Sequence, residues 1–119
     1  MALFRKGYDI TLNRVHDTVR INENGETLTL TVSADPMRIV AGLNKAQNKL
    51  TELVAKDEPT EDEMKEAAEF FAAVIFGQEQ AGMVMAFYND DAACVINVCG
   101  KYFRERLASK ISQMQKKSK

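Results

Sequence analysis

The sequence predicts an α+β domain, mainly α, with an N-terminal β-hairpin packed on a bundle of three to four helices; a third, edge strand before the hairpin is left open. Three observations lead there. An Asn24-Gly25 pair separates two runs of alternating apolar and polar residues. From residue 35 onward, apolar residues recur at helical spacing between recognisable caps. The chain has 119 residues, 45% hydrophobic and 28% charged, which suits one folded domain over 1–119.

Residues 1–17 read as a mobile arm or an edge strand, with Tyr8-Asp-Ile-Thr-Leu alternating briefly. The hairpin follows. Asn and Gly both tolerate φ > 0, as a type I′ turn requires. A two-residue loop at 24–25 pairs Glu23 with Glu26, Ile21 with Leu28 and Val19 with Leu30, collecting the apolar residues on one face. The like-charged Glu23/Glu26 pair beside the turn leaves a longer loop with shifted register open. In either register the apolar face needs helices to cover it.

Asp35 and Pro36 start the first helix as N-cap and first helical residue. Ile39, Leu43, Ala46, Leu50 and Leu53 form its apolar stripe, and Gly42 offers a point of close approach. Residues 57–59 (Asp-Glu-Pro) end it. Thr60 and Glu63 then form a capping box for a second helix, which buries Met64, Ala67, Ala68, Phe71, Val74 and Ile75 and stops at Gly77.

A short helix over residues 78–88 carries Val84, Phe87 and Tyr88 on one face and Met83 and Met85 elsewhere. Asn89-Asp90-Asp91 caps the last helix, from about residue 92 to 115, with Ile96, Cys99, Phe103, Leu107, Ile111 and Met114 inward. Residues 116–119 read as a disordered tail. Val19, Ile21, Leu28 and Leu30 should face helices, and Phe71, Ile75, Phe76, Ile96, Phe103 and Leu107 should be buried.

The chemistry is sparse. Cys94 and Cys99 lie about 8 Å apart along one helix on different faces, so they read as core residues and not as a disulfide. His16 is the single histidine and reads as a surface residue. The glycines at 42, 77, 82 and 100 are isolated and form no phosphate-binding loop. No catalytic residue, metal site or cofactor is indicated, and the chain is not expected to be an enzyme.

Charge is divided between an acidic run at 57–69 and a basic segment at 101–119. The acids suit a helix N-terminus, and the basic face reads as solvated or self-complementary. A net charge of −1 argues against a dedicated nucleic-acid binder. The longest apolar run, residues 70–77, is too short to cross a bilayer, and residues 1–10 lack a signal-peptide block. A cytoplasmic location is expected.

The order of these features resembles small proteins encoded among the tail genes of phages and prophages of Gram-positive bacteria, the tail assembly chaperones. It comprises a hairpin over 19–32, the Asp35-Pro36 helix start and an acidic linker at 57–63. A helix then ends in Phe76-Gly77, a short helix spans 78–88, a polar break spans 89–91, and a long basic helix spans 92–119. The likeness covers roughly residues 18–115. It implies a non-enzymatic role in tail morphogenesis, in the host cytoplasm. The expected partners are the tape measure protein, held before tail tube protein polymerises around it, the tube protein itself, and other copies of the chain.

Helix-in-groove contact suits such a client, with Met83, Met85 and Phe87 as candidate contact residues because flexible side chains adapt to a partner. The alternatives are a structural virion component, such as a minor tail or head–tail connector protein, and a small regulatory protein-binding module.

Overall fold

The computed structural model describes residues 13–117, with side chains through residue 114. Strands Val15–Glu23 (β1) and Glu26–Ala34 (β2) pair antiparallel with Glu23 opposite Glu26, Ile21 opposite Leu28 and Val19 opposite Leu30. Asn24 and Gly25 turn the chain at φ 52° and 81°, as the two-residue loop requires. The Glu23/Glu26 pair costs little because both side chains are exposed. Both strands run further than the alternating pattern indicated, β1 starting at Val15 and β2 ending at Ala34. The Tyr8-Asp-Ile-Thr-Leu segment lies outside the described residues.

Helix α1 is Pro36–Ala55. The Asp35 side chain caps it by accepting from the Met37 N–H at 3.0 Å. Helix α2 is Glu61–Phe76. Its capping box is complete: Glu63 N–H donates to Thr60 Oγ1 at 3.1 Å, and Thr60 N–H donates to Glu63 Oε1 at 3.0 Å. Gly77, at φ 90°, ends α2 and admits α3 (Gln78–Phe87) directly.

Asn89 and Asp90 then take positive φ, and Asp91 caps α4 (Ala92–Tyr102) by accepting from Cys94 N–H. The final helix is interrupted. A π-helical turn, Phe103–Leu107, separates α4 from α5 (Ala108–Lys117). The inward residues Cys99, Phe103, Leu107 and Ile111 follow at three successive spacings of four. That exceeds the α-helical period, and a wider turn keeps them from drifting off the core. Helix α5 reaches Lys117, inside the stretch read as a disordered tail; residues 118–119 lie outside the described residues.

The chain is thus α+β and mainly helical, with α2 at the centre. Helices α1, α3 and α4 all pack on α2, β2 lies against α2 and α3, and β1 meets α5. Leu30, Ile39, Ala68, Ala72, Val84, Val95, Cys99 and Leu107 are fully enclosed, and Ile75 nearly so. Phe76 stacks on Tyr102 with ring centroids 5.8 Å apart. Gly42 is where α1 and α2 come closest. A Cβ there would lie 2.7 Å from Val74 Cγ1. No helix among the described residues is long and apolar enough to cross a membrane.

Candidate functional site: an apolar groove between α1 and α4–α5

Helices α1 and α4 both rest on α2, and the space between them is left partly open. The resulting groove has a volume of about 520 Å³. Val40, Leu43, Gln47 and Leu50 form the α1 wall, Phe71 of α2 contributes from below, and Ile96, Phe103, Ala108 and Ile111 form the other wall. The α1 residues recur at spacings of three and four, so this wall is about 15 Å long. Asn44, Asn97, Arg104 and Ser112 supply polar groups at the lining.

This groove corrects part of the core expected from sequence. Ile75, Phe76 and Leu107 are buried as expected, at 2%, 5% and 0% exposure. Phe71, Ile96 and Phe103 are only partly covered, because the side chain that would close over them is missing between α1 and α4. Leu43 and Leu50, inward on the helical pattern, are likewise only partly buried. In the hairpin, Ile21 and Leu30 are buried while Val19 and Leu28 pack partly covered against the same core.

The α3 residues do not form one surface. Met85 is 6% exposed and belongs to the core, Phe87 is partly buried, and Met83 is 43% exposed. Met83 and Phe87, four residues apart, lie on one side of the helix, whereas Met85, two residues from each, falls on the inward side with Ala81 and Val84. Any contact made by Met85 with a partner would require α3 to move. Phe87 instead meets Tyr88 edge-on, with centroids 5.2 Å apart.

Two polar assemblies tie together elements far apart in sequence, and neither has a local sequence signature. The Asp17 side chain, 5% exposed, accepts from Arg106 Nε at 2.6 Å, Arg106 Nη2 at 2.8 Å and the Tyr102 hydroxyl at 2.9 Å. Burial pushes the Asp17 carboxyl up. The hydrogen bonds from Arg106, Tyr102 and the Thr18 N–H, with the Arg106 charge, outweigh that and hold it below its ordinary value. Tyr102 shifts the other way, since burial and the adjacent carboxylate both oppose its ionisation.

The second assembly is Gln80. Its Oε1 accepts from Thr31 N–H at 2.9 Å, and its Nε2 donates to the Thr31 and Phe76 carbonyls, each at 2.7 Å. One side chain thereby occupies both outward backbone groups of Thr31 at the β2 edge.

The remaining groups singled out from sequence stay apart. His16 is exposed. Cys99 is fully buried, and burial pushes its thiol up to about 12. Cys94 is only partly buried, a departure from the core role read from sequence; its hydrogen bond to Asp91, with burial, raises its thiol. The acidic start of α2 is tied to lysines, Glu61 to Lys65, Glu63 to Lys56 and Glu66 to Lys49. The Lys56 contact, with the capping hydrogen bonds, brings the Glu63 carboxyl down to about 2. No group of three or more His, Cys, Asp or Glu among the described residues is placed to hold a metal ion.

The fold and this groove define a small helical domain with a hairpin cover and an incompletely closed apolar seam. Comparisons with models of protein families, with curated proteins and with solved structures found no match to the chain.

Proposed function

We propose that the protein is a non-enzymatic binding module that holds the apolar face of a partner helix in the groove between α1 and α4–α5. The observation that carries this reading is the partial exposure of Leu43, Leu50, Phe71, Ile96 and Phe103 along one seam. Apolar side chains arranged in this way gain from a further apolar surface. A wall about 15 Å long matches roughly three turns of helix, presenting residues at i, i+3 or i+4, and i+7. The polar groups at the lining are uncharged apart from Arg104, which suits repeated, weak and register-tolerant contacts.

The order of elements resembling tail assembly chaperones supports a particular client, the tape measure protein of a phage or prophage, held during tail morphogenesis in the bacterial cytoplasm. A long helical client exposes apolar stripes before assembly, and a chaperone must later yield them to tail tube protein. Modest affinity distributed over many copies serves that exchange.

The chain contains no tryptophan, so a Trp-bearing amphipathic peptide reports binding without background. A tape measure fragment or model helix should show a blue-shifted Trp emission with the wild type. Leu50→Asp and Phe103→Asp should abolish it while Met83→Ser leaves it intact. Loss with Met83→Ser and retention in the groove variants would move the site to α3 and sink this assignment. Mass spectrometry of purified particles separates the chaperone from a structural virion component: the chaperone is absent, the structural protein present.

A further inference from the structure

The two ends of α1 stand in regions of opposite charge. At its C-terminal end the chain turns into α2 through residues 56–60. Residues 52–63 hold six acids against one lysine, Lys56, which is already tied to Glu63. Glu52, Asp57, Glu58 and Asp62 are exposed, and their side chains form no ion pair or hydrogen bond with any described residue. Val54 stands on the same corner, 84% exposed.

The other end is basic. The hairpin register sets Val15 opposite Ala34, so the start of β1 lies beside the start of α1. There β1 and α5 flank a cleft of about 340 Å³, lined by Arg14 and His16 on one side and by Lys110 and Gln113 on the other. Among the described residues no acid lines it. Residues 106–117 hold Arg106, Lys110, Lys116 and Lys117 and no acid. Of the acids on adjoining elements, Asp17 is held in a two-point pair with Arg106, Glu105 pairs with Lys101, and Asp35 caps α1 outside the lining. Arg14 and Lys110 form no ion pair with any described residue.

Helix α1, 20 residues long, sets the two regions about 30 Å apart. That is more than three Debye lengths at physiological salt, so neither region neutralises the other within one molecule.

We propose that the cleft between β1 and α5 receives the α1–α2 corner of a second copy of this chain. Asp57 and Glu58 of the entering turn meet Arg14 and Lys110, and the contact covers Val54. Two observations favour this occupant over a nucleic acid. Both charged regions belong to one chain whose net charge is −1, so a copy is complementary at each end while a polyanion gains no overall attraction. A polyanion in the cleft would also leave the acidic corner and Val54 as they are. The contact is heterologous: each copy offers its corner to one neighbour and its cleft to another, so association continues beyond a pair. Exposed ion pairs contribute little each, which makes the association weak and concentration-dependent.

Sedimentation velocity of the full chain tests this. At about 50 mM salt the average mass should rise with protein concentration above that of one chain, and at about 300 mM salt it should return towards it. Arg14→Gln with Lys110→Gln, and separately Asp57→Asn with Glu58→Gln, should each remain monomeric. Mixed one to one, the two variants restore a single intact cleft and a single intact corner, and should form a heterodimer and nothing larger. Leu50→Asp should associate like the wild type. Circular dichroism checks folding; if one charge variant is unfolded, the other must still be monomeric.

A wild type that stays monomeric at low salt and roughly millimolar concentration overturns the proposal. So does self-association that survives in a folded charge variant, or that is lost in Leu50→Asp, or mixed variants that fail to pair. A single-stranded DNA oligonucleotide that binds the wild type and not the Arg14→Gln, Lys110→Gln variant, without self-association, assigns the cleft to nucleic acid and overturns it as well. Because Leu50→Asp reports the apolar seam alone, failure of that site and failure of this one are read separately.

Discussion

Arg106 and Asp17, 89 positions apart, meet in a two-point ion pair: Nε lies 2.6 Å from Oδ2 and Nη2 lies 2.8 Å from Oδ1. The contact ties β1 to the π-helical turn. The same carboxylate takes the Tyr102 hydroxyl, and Tyr102 in turn stacks on Phe76 of α2. Hairpin, central helix and C-terminal helix are thereby joined at one carboxylate that is almost wholly enclosed, while the Arg106 side chain remains 58% exposed.

Arg106→Ala should lower the urea midpoint at pH 7, because it leaves the enclosed Asp17 carboxylate with only the Tyr102 hydroxyl and the Thr18 N–H as donors. The pH dependence follows from the direction of the Asp17 shift. Its folded value lies below its ordinary value of 3.8, so its stabilisation is present above 3.8 and is lost as pH falls through the folded value. Glu63, brought from 4.5 to about 2, acts in the same direction over that window. Urea midpoints from pH 7 to 2 should fall less steeply below pH 4 for Asp17→Asn than for the wild type. Parallel curves would show that the carboxylate is not coupled to folding.

Gly42→Ala should destabilise despite the better helix propensity of alanine. The new Cβ would lie 2.7 and 2.9 Å from the two Val74 methyls. Valine in a helix has one strongly preferred rotamer, so these methyls cannot easily turn away. Overpacking of about 1–3 kcal/mol exceeds the gain of about 1 kcal/mol from replacing glycine. In a Val74→Ala background the same change should become neutral or stabilising, which a double-mutant cycle by chemical denaturation measures.

Gln80→Leu should free the outer edge of β2. The side chain's hydrogen bonds to Thr31 and Phe76 lie near the surface and water can replace them in part, so the expected cost is about 1 kcal/mol. Hydrogen exchange gives the sharper readout: the Thr31 amide should lose protection while Leu30, bonded inward to Val19, keeps it. Equal loss at both amides would mean that the hairpin opens as a unit and that Gln80 does not hold the edge.

Leu107→Ala and Phe103→Ala should separate stability from binding. Leu107 is fully enclosed, and its truncation should cost about 2–5 kcal/mol. Taken as a core residue on sequence spacing, Phe103 would lose about 3–5 kcal/mol on truncation. Its place on the groove wall lowers this to about 1–2 kcal/mol, because part of the ring already faces solvent. Thermal melts of the two variants give the comparison, and a larger loss at Phe103 than at Leu107 would contradict the groove.

Local signals were legible without the fold. The Asn24-Gly25 turn and its register, the Asp35-Pro36 start, the Thr60/Glu63 box and the Gly77 stop each depend on residues within a few positions of one another. Their geometry is set by backbone sterics and short-range hydrogen bonds, which residue identity already encodes. Even the close approach at Gly42 had its cue in one missing side chain.

The groove, the Asp17–Arg106 clamp and the Gln80–Thr31 edge cap had no such cue. Helical spacing marks Leu50, Phe71 and Phe103 as apolar faces, but whether a facing element fills the space against them depends on how α1 and α4 seat on α2. An ion pair across 89 residues or an edge cap across 49 exists only after the chain has closed. Residue pattern therefore settled most of the elements and their starts, but not the π-helical turn at Phe103–Leu107 or the inward place of Met85. Packing settled which of the apolar faces stay partly open, and so where the apolar groove lies.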